Sequence, residues 1–293
     1  MAMVAAPVPV FAEIAEFHYR VRFPASSFMP GHHVSQVRGG GIEPAALVPL
    51  ERARDPRRLD WRASLRDPFQ GWWVREHHQR SSLGVLLLAD VSASMGFAGR
   101  GDTPALLGAF AQALRHSVAR TGDAYGQLAF DAAPVEPLRL PPTRSRQAAT
   151  VAAMALAGHA FTGPGAAGLC AAAEQVPRPP ALVFLLSDFH FPVPLLDQAL
   201  ALLARHDVVP VWPRDPAEAE ALPAHGLVEV RDAETGRGRM LWMRPALKQR
   251  WLDRVRAHRR EVEDCMARHH RVPLVLAERF DAERVTGYFA ARG

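Results

Sequence analysis

The sequence predicts an α/β fold built on a doubly wound, mostly parallel sheet, and three observations carry that prediction. The apolar runs Gly84–Ala89 and Ala181–Leu186 have the length and unbroken hydrophobicity of strands buried on both faces. Between and around them lie segments with apolar residues at helical spacing, such as Leu106, Leu107, Phe110, Leu114 and Val118. Each apolar run also leads into an aspartate, Asp90 after the first and Asp188 after the second.

Taken in order, residues 1–80 are rich in Pro, Gly, Arg and His and read as a β-rich N-terminal extension. Within it, Phe17 to Phe23 alternates apolar and polar side chains, the period of a half-buried strand, which Pro24 ends. Gly39, Gly40 and Gly41 then interrupt the chain. The α/β domain is expected over residues 81–293. After the Gly84–Ala89 strand, a helix is predicted over Thr103–Arg120 and a strand over Tyr125–Phe130, following Gly122-Asp123.

Ala-rich helices are predicted over Arg146–Ala157 and Ala166–Gln175, and Pro177, Pro179 and Pro180 break the chain before the Ala181–Leu186 strand. A helix over Pro194–Arg205 and a strand over Val208–Trp212 continue the alternation. Strands at Leu227–Val230 and Arg239–Trp242 flank Asp232-Ala233-Glu234-Thr235-Gly236, a hairpin inserted at about residues 214–244. A long amphipathic helix over Pro245–Arg268, a strand over Val272–Ala277 and a helix over Ala282–Ala291 close the chain, the last two rejoining the main sheet.

Composition narrows the function classes. The chain has 293 residues, 48% of them hydrophobic and 22% charged, which suits a globular core and excludes a disordered polymer. Two cysteines, Cys170 and Cys265, are too few for a disulfide framework. No apolar run approaches the roughly 18 residues that span a bilayer, and the N-terminus lacks a basic segment and long apolar stretch. A cytoplasmic protein without membrane insertion is therefore expected.

The net charge is +5, yet Lys248 is the only lysine among 35 basic residues. Arginines are interleaved with acids almost everywhere, so no concentrated patch marks a nucleic-acid binder.

The chemistry is expected at the carboxyl ends of the strands, where open α/β sheets bind ligands. Asp90, Ser92 and Ser94 alternate, so an extended backbone points one carboxylate and two hydroxyls the same way. With Asp188 they form an all-oxygen set suited to a hard cation, Mg²⁺ or Mn²⁺. The same Asp-x-Ser-x-Ser also suits a turn whose side chains cap the following backbone.

Asp90-x-Ser92-x-Ser94-Met95 resembles the metal-ion-dependent adhesion site of von Willebrand factor A domains. The resemblance implies a von Willebrand factor A-like fold in which Ser92 and Ser94 bind the metal directly and Asp90 and Asp188 act through waters. The sixth position would then be left for a partner's carboxylate. The family also supplies a threonine from a separate loop. Here that loop reads Phe161-Thr162-Gly163-Pro164-Gly165, and Thr162 is the nearest match.

A further resemblance spans nearly the whole chain. Asp55-Pro56-Arg57-Arg58-Leu59-Asp60-Trp61-Arg62-Ala63-Ser64-Leu65-Arg66, Ser187-Asp188-Phe189 and Asp232-Ala233-Glu234-Thr235-Gly236 are similar to a bacterial family accompanying MoxR-type AAA+ ATPases. Within it, the chain looks closest to the MxaS-type proteins of methanol dehydrogenase maturation. The resemblance implies a non-enzymatic, metal-dependent adaptor whose partners are a MoxR-type ATPase and a client protein complex. The alternative is a Mg²⁺-dependent hydrolase or phosphotransferase, although neither a Gly-x-x-x-x-Gly-Lys-Ser/Thr loop nor a Gly-x-Ser-x-Gly elbow is present.

Other conspicuous residues have plainer readings. Arg58, Asp60 and Arg66 suit an ion-pair network joining the extension to the sheet. The pairs His32-His33, His77-His78 and His269-His270 lack metal-site spacing and read as surface or loop residues. Trp72-Trp73 reads as core packing in preference to an exposed anchor.

Overall fold

The computed structural model describes residues 15–21, 30–39, 43–53, 57, 59–69, 71–215, 222–234 and 236–292. Strands β1 (Pro30–Gly39) and β2 (Glu43–Pro49) come first, then a short helix α1 (Trp61–Arg66) and strand β3 (Trp73–Ser81). The three strands make an antiparallel sheet in the order β1-β3-β2. Asp60 starts α1 by accepting the backbone N–H groups of Arg62 and Ala63, each at 3.1 Å, and it also pairs with Arg75. Those donors, the Ala63 N–H foremost, hold its carboxyl below the usual range.

Only Ser82 and Leu83 separate β3 from β4 (Gly84–Asp90), the first strand of the main sheet. Then follow α2 (Thr103–Thr121), β5 (Ala124–Phe130), β6 (Leu140–Thr143), α3 (Arg146–Ala157), α4 (Leu169–Glu174) and β7 (Ala181–Leu186). Next come α5 (Val193–Leu202), β8 (Asp207–Arg214), β9 (Gly226–Arg231) and β10 (Gly238–Met243). The last elements are α6 (Pro245–Arg268), β11 (Leu274–Ala277) and α7 (Ala282–Ala291).

The fold class is the expected one: a mixed α/β protein whose six-stranded sheet, β11-β8-β7-β4-β5-β6, is parallel except at β6. Alternate residues of each central strand feed two cores. Val85, Leu87 and Ala89 of β4 face α2, α3 and α7, whereas Leu86 and Leu88 face α4, α5 and α6. Double-sided burial of this kind explains why β4 and β7 read as unbroken apolar runs.

Local chemistry sets the helix limits. Asp102 caps α2 by accepting the Ala105 N–H at 2.9 Å, and Gly122, at φ 70°, ends the helix in the left-handed conformation that glycine adopts without cost. Ser145 caps α3 and Asp281 caps α7 in the same way. The α4 helix is shorter than the predicted Ala166–Gln175, because Gly168 donates its N–H to the Asp131 carbonyl at 2.8 Å instead of to a preceding helical turn.

Two further sequence expectations need correction, and one strand lies where none was expected. Residues 17–21 form no strand, although the predicted alternation is real: Phe17 and Tyr19 are buried while Glu16, His18 and Arg20 are exposed. The Phe17 N–H donates to Ser117 Oγ at 3.0 Å, so α2, and not a neighbouring strand, satisfies this segment. The remainder of that predicted strand, residues 22–23, lies outside the described residues.

Strand β6 went unpredicted because Pro141 and Pro142 argue against a strand; it sits at the sheet edge, the place that tolerates them.

Trp72 is 52% exposed and meets the 62% exposed Trp61 edge-on at 5.7 Å, so it is not a core residue. Trp73 is half-buried, its indole N–H donating to Asp67 at 2.8 Å.

The β9–β10 hairpin forms its own two-stranded sheet with Gly226 opposite Met243 and Arg231 opposite Gly238. As expected, β11 returns to the main sheet, pairing parallel with β8. Among the described residues no helix is long and apolar enough to cross a membrane. Arg58 lies outside them, as do Asp55, Pro56 and Thr235 of the quoted motifs.

Candidate functional site

Strand β4 is central, with β5 on one side and β7 on the other, so the order of connection reverses there. Loops leaving β4 and β7 diverge to opposite faces and open a cleft at the strands' carboxyl ends. The cleft holds about 450 Å³ and is lined by Asp90, Ser92, Ser94, Asp188, His190 and Glu234 among others. The topology therefore brings together four of the five residues that the sequence nominated.

Asp90 is fully buried at the end of β4. Its Oδ1 accepts the Ser92 N–H at 3.0 Å and the Ser92 hydroxyl at 2.6 Å, and its Oδ2 accepts the Ser187 hydroxyl at 2.7 Å. The first of these bonds is the capping turn that the motif also suits, and it coexists with convergence of the hydroxyls. Ser92 Oγ and Ser94 Oγ lie 3.3 Å apart. Since the Ser92 hydroxyl gives its proton to Asp90, it accepts from the Ser94 hydroxyl and keeps one lone pair for the cleft.

Asp188 follows β7 and is 5% exposed. Its Oδ1 accepts the His190 N–H at 3.0 Å, and its Oδ2 lies 3.5 Å from His190 Nδ1. The residue between them, Phe189, is buried with φ 56°, a conformation costly for a bulky side chain. Three contacts hold it there. Phe189 donates its N–H to Ser187 Oγ at 3.0 Å, its carbonyl lies 2.9 Å from His258 Nε2, and its ring packs on Trp212 at 5.4 Å. This strained turn lets Ser187 point at Asp90 while Asp188 turns into the cleft.

Electrostatics at the site are unbalanced. Burial, reinforced by the negative charge of Asp188, pushes the Asp90 carboxyl up to about 7. Among the described residues, the three groups bonded to Asp90 are all neutral: one amide and two hydroxyls. An oxygen-only donor set with excess negative charge and spare hydroxyl lone pairs fits a hard divalent cation.

Thr162 is placed differently. It is exposed and does not line the cleft, while its neighbour Gly163 pairs with Ser92, accepting the Ala93 N–H at 2.9 Å. That loop reaches the site through its backbone.

Sequence reasoning missed three participants. Ser187 fixes Asp90, His190 pairs with Asp188, and Glu234 enters from the distant hairpin. The first two were within two residues of Asp188, and an alternating pattern there was the available signal. Nothing local in the hairpin sequence shows that its loop folds over β4.

Of the three histidine pairs, His269 is not a free surface residue: its Nε2 lies 3.0 Å from Asp197 Oδ1, tying α6 to α5 beside the buried Cys265. Asp197 is held below the usual carboxylate range, mainly by that contact.

Comparison with known proteins adds the family. The chain is 29% identical over 241 residues to an uncharacterized protein of Mycobacterium tuberculosis strain H37Rv, covering 79% of this chain and 73% of that one. It is 32% identical over 104 residues to a Paracoccus denitrificans protein described as "uncharacterized protein in moxR 3'region", covering 36% of this chain and 99% of that one. Among solved structures, BatB from Bacteroides thetaiotaomicron matches with a TM-score of 0.40 and 11% identity, over 72% of this chain and 98% of that one. That likeness is too slight to carry an argument. The family profile matches residues 53–261, from the segment before α1 through most of α6, and the chain accordingly belongs to the family described as protein of unknown function DUF58.

Proposed function

We propose that this chain is a metal-dependent protein-binding adaptor that works with a MoxR-type AAA+ ATPase in assembling or metallating a client complex. The observation that carries the reading is the buried pair Asp90 and Asp188, facing one cleft with Ser92 and Ser94, with no cationic side chain among the described residues bonded to Asp90. Ser92, Ser94, Asp90 and Asp188 would hold Mg²⁺ or Mn²⁺. The cation would supply a Lewis-acidic position for an acidic side chain of the partner. The protein's own residues supply the rest: Ser187 orients Asp90, and the Phe189 turn aims Asp188.

Support for the partner comes from the Paracoccus relative, whose description places it beside moxR. The test is a pull-down of a MoxR-type ATPase by this chain in Mg²⁺. Loss of the partner on adding EDTA and in Asp90→Ala supports the adaptor; retention under both conditions overturns it.

One observation favours a second reading, a Mg²⁺-dependent hydrolase. Asp90 and Asp188, both buried, share one cleft with Ser92 and Ser94, and an oxygen-donor cleft of that kind also suits metal-assisted hydrolysis. Phosphatase turnover by the purified protein, abolished by Asp188→Ala, would establish it over the adaptor.

A further inference from the structure

The hairpin between β8 and α6 reaches into the cleft. In the β9–β10 loop, Asp232 donates its N–H to the Arg237 carbonyl at 3.0 Å and accepts the Gly236 N–H on its own carbonyl at 2.8 Å. Its Oδ1 accepts the Glu234 N–H at 2.9 Å, and Gly236 sits at φ 67°. These bonds make a tight, preorganised turn whose tip is Glu234.

Glu234 then makes contacts far from its own place in the chain. Its Oε1 accepts the Ser94 N–H at 3.2 Å, and its Oε2 accepts the Gly165 N–H in a close contact. Ser94 belongs to the loop after β4 and Gly165 to the loop before α4, the two walls of the cleft. A carboxylate oxygen has two lone pairs, so after both amide bonds each oxygen of Glu234 keeps one.

The charge arrangement sharpens the point. Glu234 brings a third carboxylate to a cleft that already holds Asp90 and Asp188. Like charges in a partly buried site repel, and two amide dipoles are a modest counterweight. A built turn that delivers an acid there makes physical sense when a cation shares the site.

We infer that Glu234 is the chain's own acidic ligand, placed by the hairpin at the position a partner's carboxylate would take. The inference rests on the metal-dependent reading above. Because the hairpin is tethered, Glu234 competes at a high effective concentration, so a partner's acid gains the position only by lifting the hairpin away.

Mn²⁺ serves as the probe in solution, with binding followed by electron paramagnetic resonance and by water-proton relaxation of the bound ion. Glu234→Gln, which keeps the shape and removes the charge, is expected to weaken Mn²⁺ binding by roughly tenfold and to raise the relaxation per bound ion as water replaces the carboxylate. Asp90→Ala is expected to abolish binding. Mn²⁺ bound with wild-type affinity and relaxation in Glu234→Gln, yet lost in Asp90→Ala, would overturn the role of Glu234 and leave the metal site standing. Mn²⁺ binding indifferent to Asp90→Ala would overturn the metal-dependent reading itself. A circular dichroism melt of Glu234→Gln matching wild type shows that either change is local.

Discussion

Ser187 donates its hydroxyl to Asp90 across 2.7 Å, joining the ends of two neighbouring parallel strands through side chains where their backbone ladder stops. The same oxygen accepts the Phe189 N–H at 3.0 Å, so one hydroxyl both orients the central carboxylate and holds the strained turn beyond it. Ser187→Ala removes both contacts. The expected loss is about 1–3 kcal/mol of folding stability, read from chemical denaturation. Stability equal to wild type would show that neither contact matters.

The Asp90 carboxyl gives the protein a defined pH dependence. Its value in the folded chain is about 7, against 3.8 for an unperturbed group. The folded state therefore binds this proton more tightly than the unfolded chain, so its contribution to stability is complete below about 4 and is lost as pH rises through about 7. In EDTA, melting temperature is expected to fall across that window. Asp90→Asn is expected to flatten the fall, and Mg²⁺ to suppress it in the wild type. A slope unchanged in Asp90→Asn would assign the dependence to other groups.

Phe17 stands outside every strand yet is fully buried, with ring centroids 5.8 Å from Phe110, 6.2 Å from Phe184 and 6.3 Å from Phe280. Phe17→Ala would leave a cavity where α2 meets the sheet. The expected cost is about 3–5 kcal/mol in a denaturation experiment. The contrast is Trp72→Ala on the exposed α1–β3 surface, for which a change within about 1 kcal/mol is expected. Similar costs at both positions would contradict the burial difference.

Tyr19 donates to Asp123 Oδ2 at 2.5 Å, and Leu83 donates its N–H to Asp123 Oδ1 at 2.8 Å. Burial raises the Tyr19 phenol well above its ordinary range, so it stays a donor at all physiological pH values. Tyr19→Phe is expected to cost about 1–3 kcal/mol, since it withdraws a donor from a buried carboxylate. In a double-mutant cycle with Asp123→Asn, the two losses should fall short of additivity. Strict additivity would mean that the pair is not coupled.

Much of this architecture was legible in the sequence because its physical causes are local. Burial on both faces wrote β4 and β7 as apolar runs, and the helical spacing of Leu106, Leu107, Phe110, Leu114 and Val118 wrote α2. The site was legible as far as the strand ends could place it, which covers Asp90, Ser92, Ser94 and Asp188.

What failed to show were relationships between distant segments. The period of two at Phe17 and Tyr19 was correct, but the partner surface was a helix. Edge position let β6 carry Pro141 and Pro142, a fact about topology that no local pattern records. Glu234 reaches Ser94 over 140 positions of chain, and the fold of the hairpin alone decides it.

The junction of β3 and β4 is only Ser82 and Leu83 long. Ser82 is gripped by the Arg144 guanidinium and Leu83 by Asp123. A tug on the three-stranded sheet is therefore not absorbed by a slack tether. It runs along the backbone to the Leu83 clasp and, once that yields, down the strand whose far tip is Asp90. The small sheet and the cleft thus stand at opposite ends of one strand, with the Asp123 clasp at the near end and Asp90 at the far one.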